Sequence, residues 1–241
     1  MNRTITNIVA TVTLGACVNL AQAAPFTPTY DFFEDLPQAT FGGTGIPTNP
    51  TAFTIFDGFN GDVVTIALSA TQRFANPPLT NDGAGTYTAG AGENDGTPGN
   101  PGNRSTWNFN WFINVVGQGN IGQYGIKLFY DLDPAANTDQ TAMGMFDFAG
   151  FPGQLSEGSE NATFGYLGGV PAFPGVTPPT FTAFDPNVGG EYSFAIVANP
   201  TGAAELGRVA INVNVTAVPL PATLALLGLG LLGVGWTRRK H

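Results

Sequence analysis

The 241-residue chain predicts an all-β body, an antiparallel β-sandwich or jelly roll, set between two apolar end segments. Three observations support this. Apolar residues between Ala24 and Ala217 recur mostly with period two, the pattern of strands with one buried face. Gly (33), Pro (19) and abundant Asn and Thr divide the chain into short pieces, which disfavours long helices. The 19 Phe, 6 Tyr and 3 Trp supply the core material that disordered chains lack. Without its ends the chain retains about 190 residues, enough for one domain with a full core. A closed β-barrel is the alternative architecture.

Residues 1–23 read as a secretory signal peptide with a signal helix. Arg3 is followed by a mostly apolar stretch from Ile8 to Leu20 and then Ala21-Gln22-Ala23, the layout that signal peptidase cuts. Cleavage falls between Ala23 and Ala24. A competing reading takes Leu14-Gly15-Ala16-Cys17 as a lipidation site, with Cys17 as the modified first residue.

The body, residues 24–217, then offers its strands in order. Ala52 to Phe56, Asp62 to Ser69, Tyr124 to Tyr130, Met143 to Phe148 and Tyr192 to Val197 are candidates, each bounded by Gly, Pro, Asn or Asp. The clearest is Trp107, Phe109, Trp111, Ile113 and Val115 alternating with Asn108, Asn110, Phe112 and Asn114. The last runs from Arg208 to Thr216. About eight to ten such strands with one wet face suggest two packed antiparallel sheets. The Gly/Asn/Pro-rich stretch Asn76 to Asn103 reads as a long surface loop.

The C-terminus, residues 218–241, has three parts. Val218-Pro219-Leu220-Pro221-Ala222 precedes an uncharged run to Trp236, and Arg238, Arg239 and Lys240 follow. As a helix, residues 222–236 measure about 22 Å, so a single membrane span needs the preceding residues as well. Trp236 suits the membrane interface, and the basic cluster forms a stop favouring the cytoplasmic side. These residues resemble the PEP-CTERM family of sorting tails in its VPLPA variant. The commoner pattern has Glu where Leu220 stands. The resemblance implies a membrane-anchored precursor in the inner membrane, cut near Val218–Ala222 by an exosortase-type membrane protease. It further implies a Gram-negative source rich in exopolysaccharide, with the released protein at the cell surface or outside the cell. It implies nothing about the body.

Charge and residue content then exclude several chemistries. All 17 acidic residues lie in the body, with only Arg73, Arg104, Lys127 and Arg208 against them. A nucleic-acid partner is therefore not expected, since phosphate binding requires clustered cations. Cys17 and His241 are the only residues of their kinds and both lie in the end segments. The body thus lacks Cys/His and Ser/His nucleophile pairs, His-bound zinc and a histidine base. Asp131, Asp133, Asn137 and Asp139 place oxygen donors at alternating positions after a strand, a pattern compatible with Ca²⁺. It is not an EF-hand, because Ala136 and Ala142 stand at the glycine and bidentate-glutamate positions. The bland reading of the cluster is an Asx-rich turn, and no cofactor is otherwise expected.

Three functions remain open. The first is a non-enzymatic structural protein of the cell surface or matrix. The second is a carbohydrate-binding module, with calcium as a candidate support, using Trp107, Trp111 and Tyr130 as a stacking platform or Asn108, Asn110 and Asn114 as hydrogen-bonding groups. The third is a glycoside hydrolase using two carboxylates.

Overall fold

The computed structural model describes residues 24–74, 79–94 and 102–217. The signal helix over 1–23 and the membrane helix over 222–236 lie outside those residues. Twelve strands are present among the described residues: β1 (Phe32–Glu34), β2 (Thr51–Asp57), β3 (Val63–Gln72), β4 (Thr80–Asn81), β5 (Thr86–Gly90), β6 (Trp107–Val116), β7 (Ile126–Tyr130), β8 (Gly144–Asp147), β9 (Leu155–Glu160), β10 (Val176–Thr177), β11 (Gly190–Ala198) and β12 (Gly207–Thr216). They form a five-stranded sheet in the order β1-β2-β3-β6-β9 and a seven-stranded sheet in the order β10-β8-β7-β11-β12-β5-β4. Every pairing is antiparallel except β12 with β5, which is parallel. Parallel pairing requires a long crossover, and here the strands between β5 and β12 provide it.

Side-chain alternation directs the core between the sheets. Val64, Ile66, Leu68 and Ala70 of β3 and Trp107, Phe109, Trp111, Ile113 and Val115 of β6 belong to one buried cluster with residues of the other sheet. That sheet contributes Leu128, Tyr130, Phe194, Ile196, Val209, Ile211 and Val213. Aromatic pairs join the two layers: Phe109 stacks on Phe194 at 4.5 Å, and Trp107 packs against Tyr192 at 5.7 Å. Interdigitated inner faces of this kind characterise a β-sandwich.

Two expectations about the body are corrected. The stretch from 76 to 103 is not only surface loop: Leu79, Tyr87, Ala89 and Ala91 are buried in the main core. Tyr87 also donates from its hydroxyl to the Pro50 carbonyl at 2.7 Å. With only Thr86, Tyr87, Thr88, Ala89 and Gly90, β5 is too short and too weakly apolar to signal a strand, and the neighbouring β12 stabilises it. The outer face of β6 is the second correction. Leu36, Ala39, Phe41 and Ile46, from the segment after β1, close over Phe53, Ala67 and Phe112 as a separate apolar cluster. The expected wet face of this sheet is therefore largely covered.

Candidate functional site

The residues proposed as a sugar platform divide on inspection. Trp107 and Tyr130 are buried in the core, and the Tyr130 hydroxyl donates to the Leu167 carbonyl at 2.8 Å. They cannot stack on a ligand. Trp111 alone reaches a cleft. Of the asparagines, Asn110 is enclosed, with Nδ2 donating to Ser69 Oγ at 3.0 Å and Thr71 Oγ1 at 3.1 Å. Asn108 donates to Ser159 Oγ at 2.9 Å and receives from Asn161 Nδ2 at 2.8 Å. It lines a hollow of about 440 Å³ with Thr71, Arg73, Ser159 and the segment Gly43–Pro47. Asn114 is half-buried. Side chains bonded to one another in this way form a structural ladder, because satisfying buried polar groups consumes their hydrogen-bonding capacity.

In the acidic turn the carboxylates are engaged with neighbouring backbone and side-chain donors. Among the described residues no three Cys, His, Asp or Glu side chains are placed to hold a metal ion. Asp131 Oδ1 accepts from the Asp133 amide, and Asp133 Oδ1 from the Ala135 amide, each at 2.9 Å. Asp139 Oδ1 accepts from the amide and hydroxyl of Thr141. The Asn137 amide donates to Glu191 at 3.2 Å. Each carboxylate closes its own turn, as short acidic side chains do after a strand. Asp131 is nevertheless unusual, being 1% exposed. Its Oδ2 finds no hydrogen-bond partner among the described residues. Burial pushes its carboxyl up to about 6.

An aromatic-lined concavity lies at the β9 edge of the sandwich, and strand register explains it. Opposite Phe109, Trp111 and Ile113, β9 offers Glu160, Gly158 and Ser156. Gly158 has to be small, since a Cβ there would overlap the Trp111 ring. With no bulky side chain from β9, the space between the sheets stays open at this edge. Trp111, Phe146, Phe148, Phe151, Tyr166 and Phe173 line the resulting cleft of about 570 Å³, together with the carboxylates of Asp147 and Glu160. Phe146 lies 5.7 Å from Trp111, Tyr166 lies 5.3 Å from Phe173, and Phe148 meets Phe151 edge-on at 6.2 Å. Glu160 is half-buried, and burial raises its pKa. Asp147 Oδ1 accepts from the Ala149 amide at 2.9 Å. Of these rings the sequence singled out Trp111 as a stacking candidate and placed Phe146 and Phe148 only within the strand candidate Met143 to Phe148, while Phe151, Tyr166 and Phe173 sit in connections.

A β-sandwich body that leads into an apolar, basic-ended tail is the plan of an exported protein. More particularly, residues 217–240 match the family model of the PEP-CTERM protein-sorting motif. The tail is thus a PEP-CTERM sorting motif, the mark of an exported protein processed by an exosortase, a membrane protease. No curated protein and no solved structure matches the chain. Val218 to Ala222, Arg238, Arg239 and Lys240 fall in or beside the motif, outside the described residues, as does the Ala23 side of the expected signal cut. Among the described residues no helix is long and apolar enough to cross a membrane.

Proposed function

We propose that this chain is a non-enzymatic structural protein of the cell surface or extracellular matrix, exported through residues 1–23, sorted by its tail and associated with exopolysaccharide. The observation that carries the reading is the junction: β12 ends at Thr216, and the sorting motif begins at residue 217. The body thus passes directly into the sorting motif. In this reading residues 222–236 hold the precursor in the inner membrane, with Arg238, Arg239 and Lys240 as the stop. Intact-mass and fractionation measurements on native cells with and without the exosortase-type protease test it. The expected mature form begins at Ala24, ends near Val218 and reaches the surface or secreted fraction only when the protease is present. A tail that persists in the membrane, or a lipidated Cys17, would replace this reading with a permanently anchored envelope protein.

A second reading, a carbohydrate-binding module, is favoured by one observation, the aromatic cleft beside β9. The absence of catalysis in both readings is supported by a body without histidine and by the use of Asp147 in its own turn. Incubation with neutral oligosaccharides is expected to release no reducing ends.

A further inference from the structure

We propose that the cleft bounded by Phe146, Phe151, Tyr166 and Phe173 is a binding site for a neutral polysaccharide, with the half-buried Glu160 as its hydrogen-bond acceptor. The inference rests on the carbohydrate-binding reading and gives it a location and a ligand charge.

Three features carry the argument. The cleft volume, about 570 Å³, falls within the range of small-ligand sites. Its rings are unequally covered: Trp111 and Phe148 are buried, while Phe151 and Phe173 are 36% and 56% exposed. Two uncovered aromatic faces on separate segments, each beside a proline of the lining (Pro152 and Pro174), present stiff apolar planes to the apolar face of a sugar ring. The polar lining is made chiefly of acceptors. Asp147 and Glu160 are the ionisable acids among its lining residues, and no Lys or Arg lines the cleft. Hydroxyl donors fit such a lining, whereas uronate or phosphate groups would be repelled. A purely apolar occupant, such as a fatty acyl chain, would cover the Glu160 carboxylate without replacing its water, which is unfavourable. A sugar hydroxyl replaces that water directly.

The test titrates the purified full-length chain with neutral hexasaccharides of glucose (β-1,3 and β-1,4 linked) and mannose, followed by calorimetry and tryptophan fluorescence. An alginate hexamer and palmitate serve as the comparison probes. At least one neutral hexasaccharide is expected to bind with a Kd between about 10 μM and 1 mM, and neither comparison probe is. The double variant Phe151→Ala, Phe173→Ala is expected to weaken binding about tenfold or more. Because both rings are exposed, its thermal midpoint should stay near that of the parent. Glu160→Gln is expected to weaken binding as well. If a neutral hexasaccharide binds and the double variant binds it equally, the carbohydrate-binding reading survives and the cleft assignment is overturned. If no neutral hexasaccharide binds, both fall. Binding of alginate or palmitate at the cleft would overturn the assigned ligand class.

Discussion

The two faces of β6 are both buried, yet different chemistry holds each of them. Inward, Trp107, Phe109, Trp111, Ile113 and Val115 meet the opposite sheet and are stabilised by removal of apolar surface from water. Outward, Asn108 and Asn110 are also almost inaccessible, and hydrogen bonds across β3, β6 and β9 compensate for that burial. Alternation along a strand therefore separates two chemistries without separating buried from exposed. The outer face is largely covered because a segment remote in sequence, Leu36 to Ile46, lies over it.

The largest effect expected from breaking this arrangement is on the inner face. Phe109 is fully buried and stacks on Phe194, so Phe109→Ala should destabilise the protein by about 3–5 kcal/mol, the cost of a large cavity. Urea unfolding measures it. Asp131 sharpens the contrast next, as a buried polar group that lacks the full pairing of the outer ladder. Its carboxyl is raised from 3.8 to about 6 by burial, so the folded protein holds this proton more tightly than the unfolded chain does. The resulting stabilisation is fully present below the unfolded value and is lost as pH rises through about 6. Stability should fall by about 3 kcal/mol across that window from this group. Asp131→Asn should flatten the dependence, as read from urea midpoints at acidic and mildly alkaline pH.

How much of this was readable in advance differs from residue to residue. Seven strands were legible, and β3, β6, β11 and β12 most clearly, because each of these four runs over nine or ten residues. In β9, Leu-Ser-Glu-Gly-Ser-Glu carries almost no apolar signal, and its backbone is recruited by β6. That same lack of bulk opens the aromatic cleft, so strand and site were hidden for one reason. Phe151, Tyr166 and Phe173 lie outside regular strands, where periodicity has nothing to report. The sorting tail was legible for the opposite reason, since its signal is local and contiguous. On the outer face, Asn110→Leu tests whether the ladder has any merit beyond filling space. It preserves size but leaves the Ser69 and Thr71 hydroxyls without their partner. A loss of about 2 kcal/mol is expected in urea unfolding, and a neutral result would mean that packing alone holds this face.

The smallest expected effect concerns how the cover is held. Glu157 of β9 accepts from the Thr40 amide at 2.8 Å, the Thr40 hydroxyl at 2.6 Å and the Phe41 amide at 2.8 Å. It thereby ties the covering segment to the sheet beside the point where Phe41 turns inward with φ of 51°. This contact is near the surface, where water competes for both partners, so Glu157→Ala should cost only about 1 kcal/mol in global unfolding. Its local consequence should be larger than that figure suggests. Opening the cover exposes the cluster around Phe41 and Phe112 without separating the two sheets, so the Thr40 and Phe41 amides should exchange hydrogen faster while those of β11 and β12 do not. Equal acceleration in both regions would mean that cover and sandwich unfold as one unit, and that the two faces of β6, though chemically distinct, are a single cooperative structure.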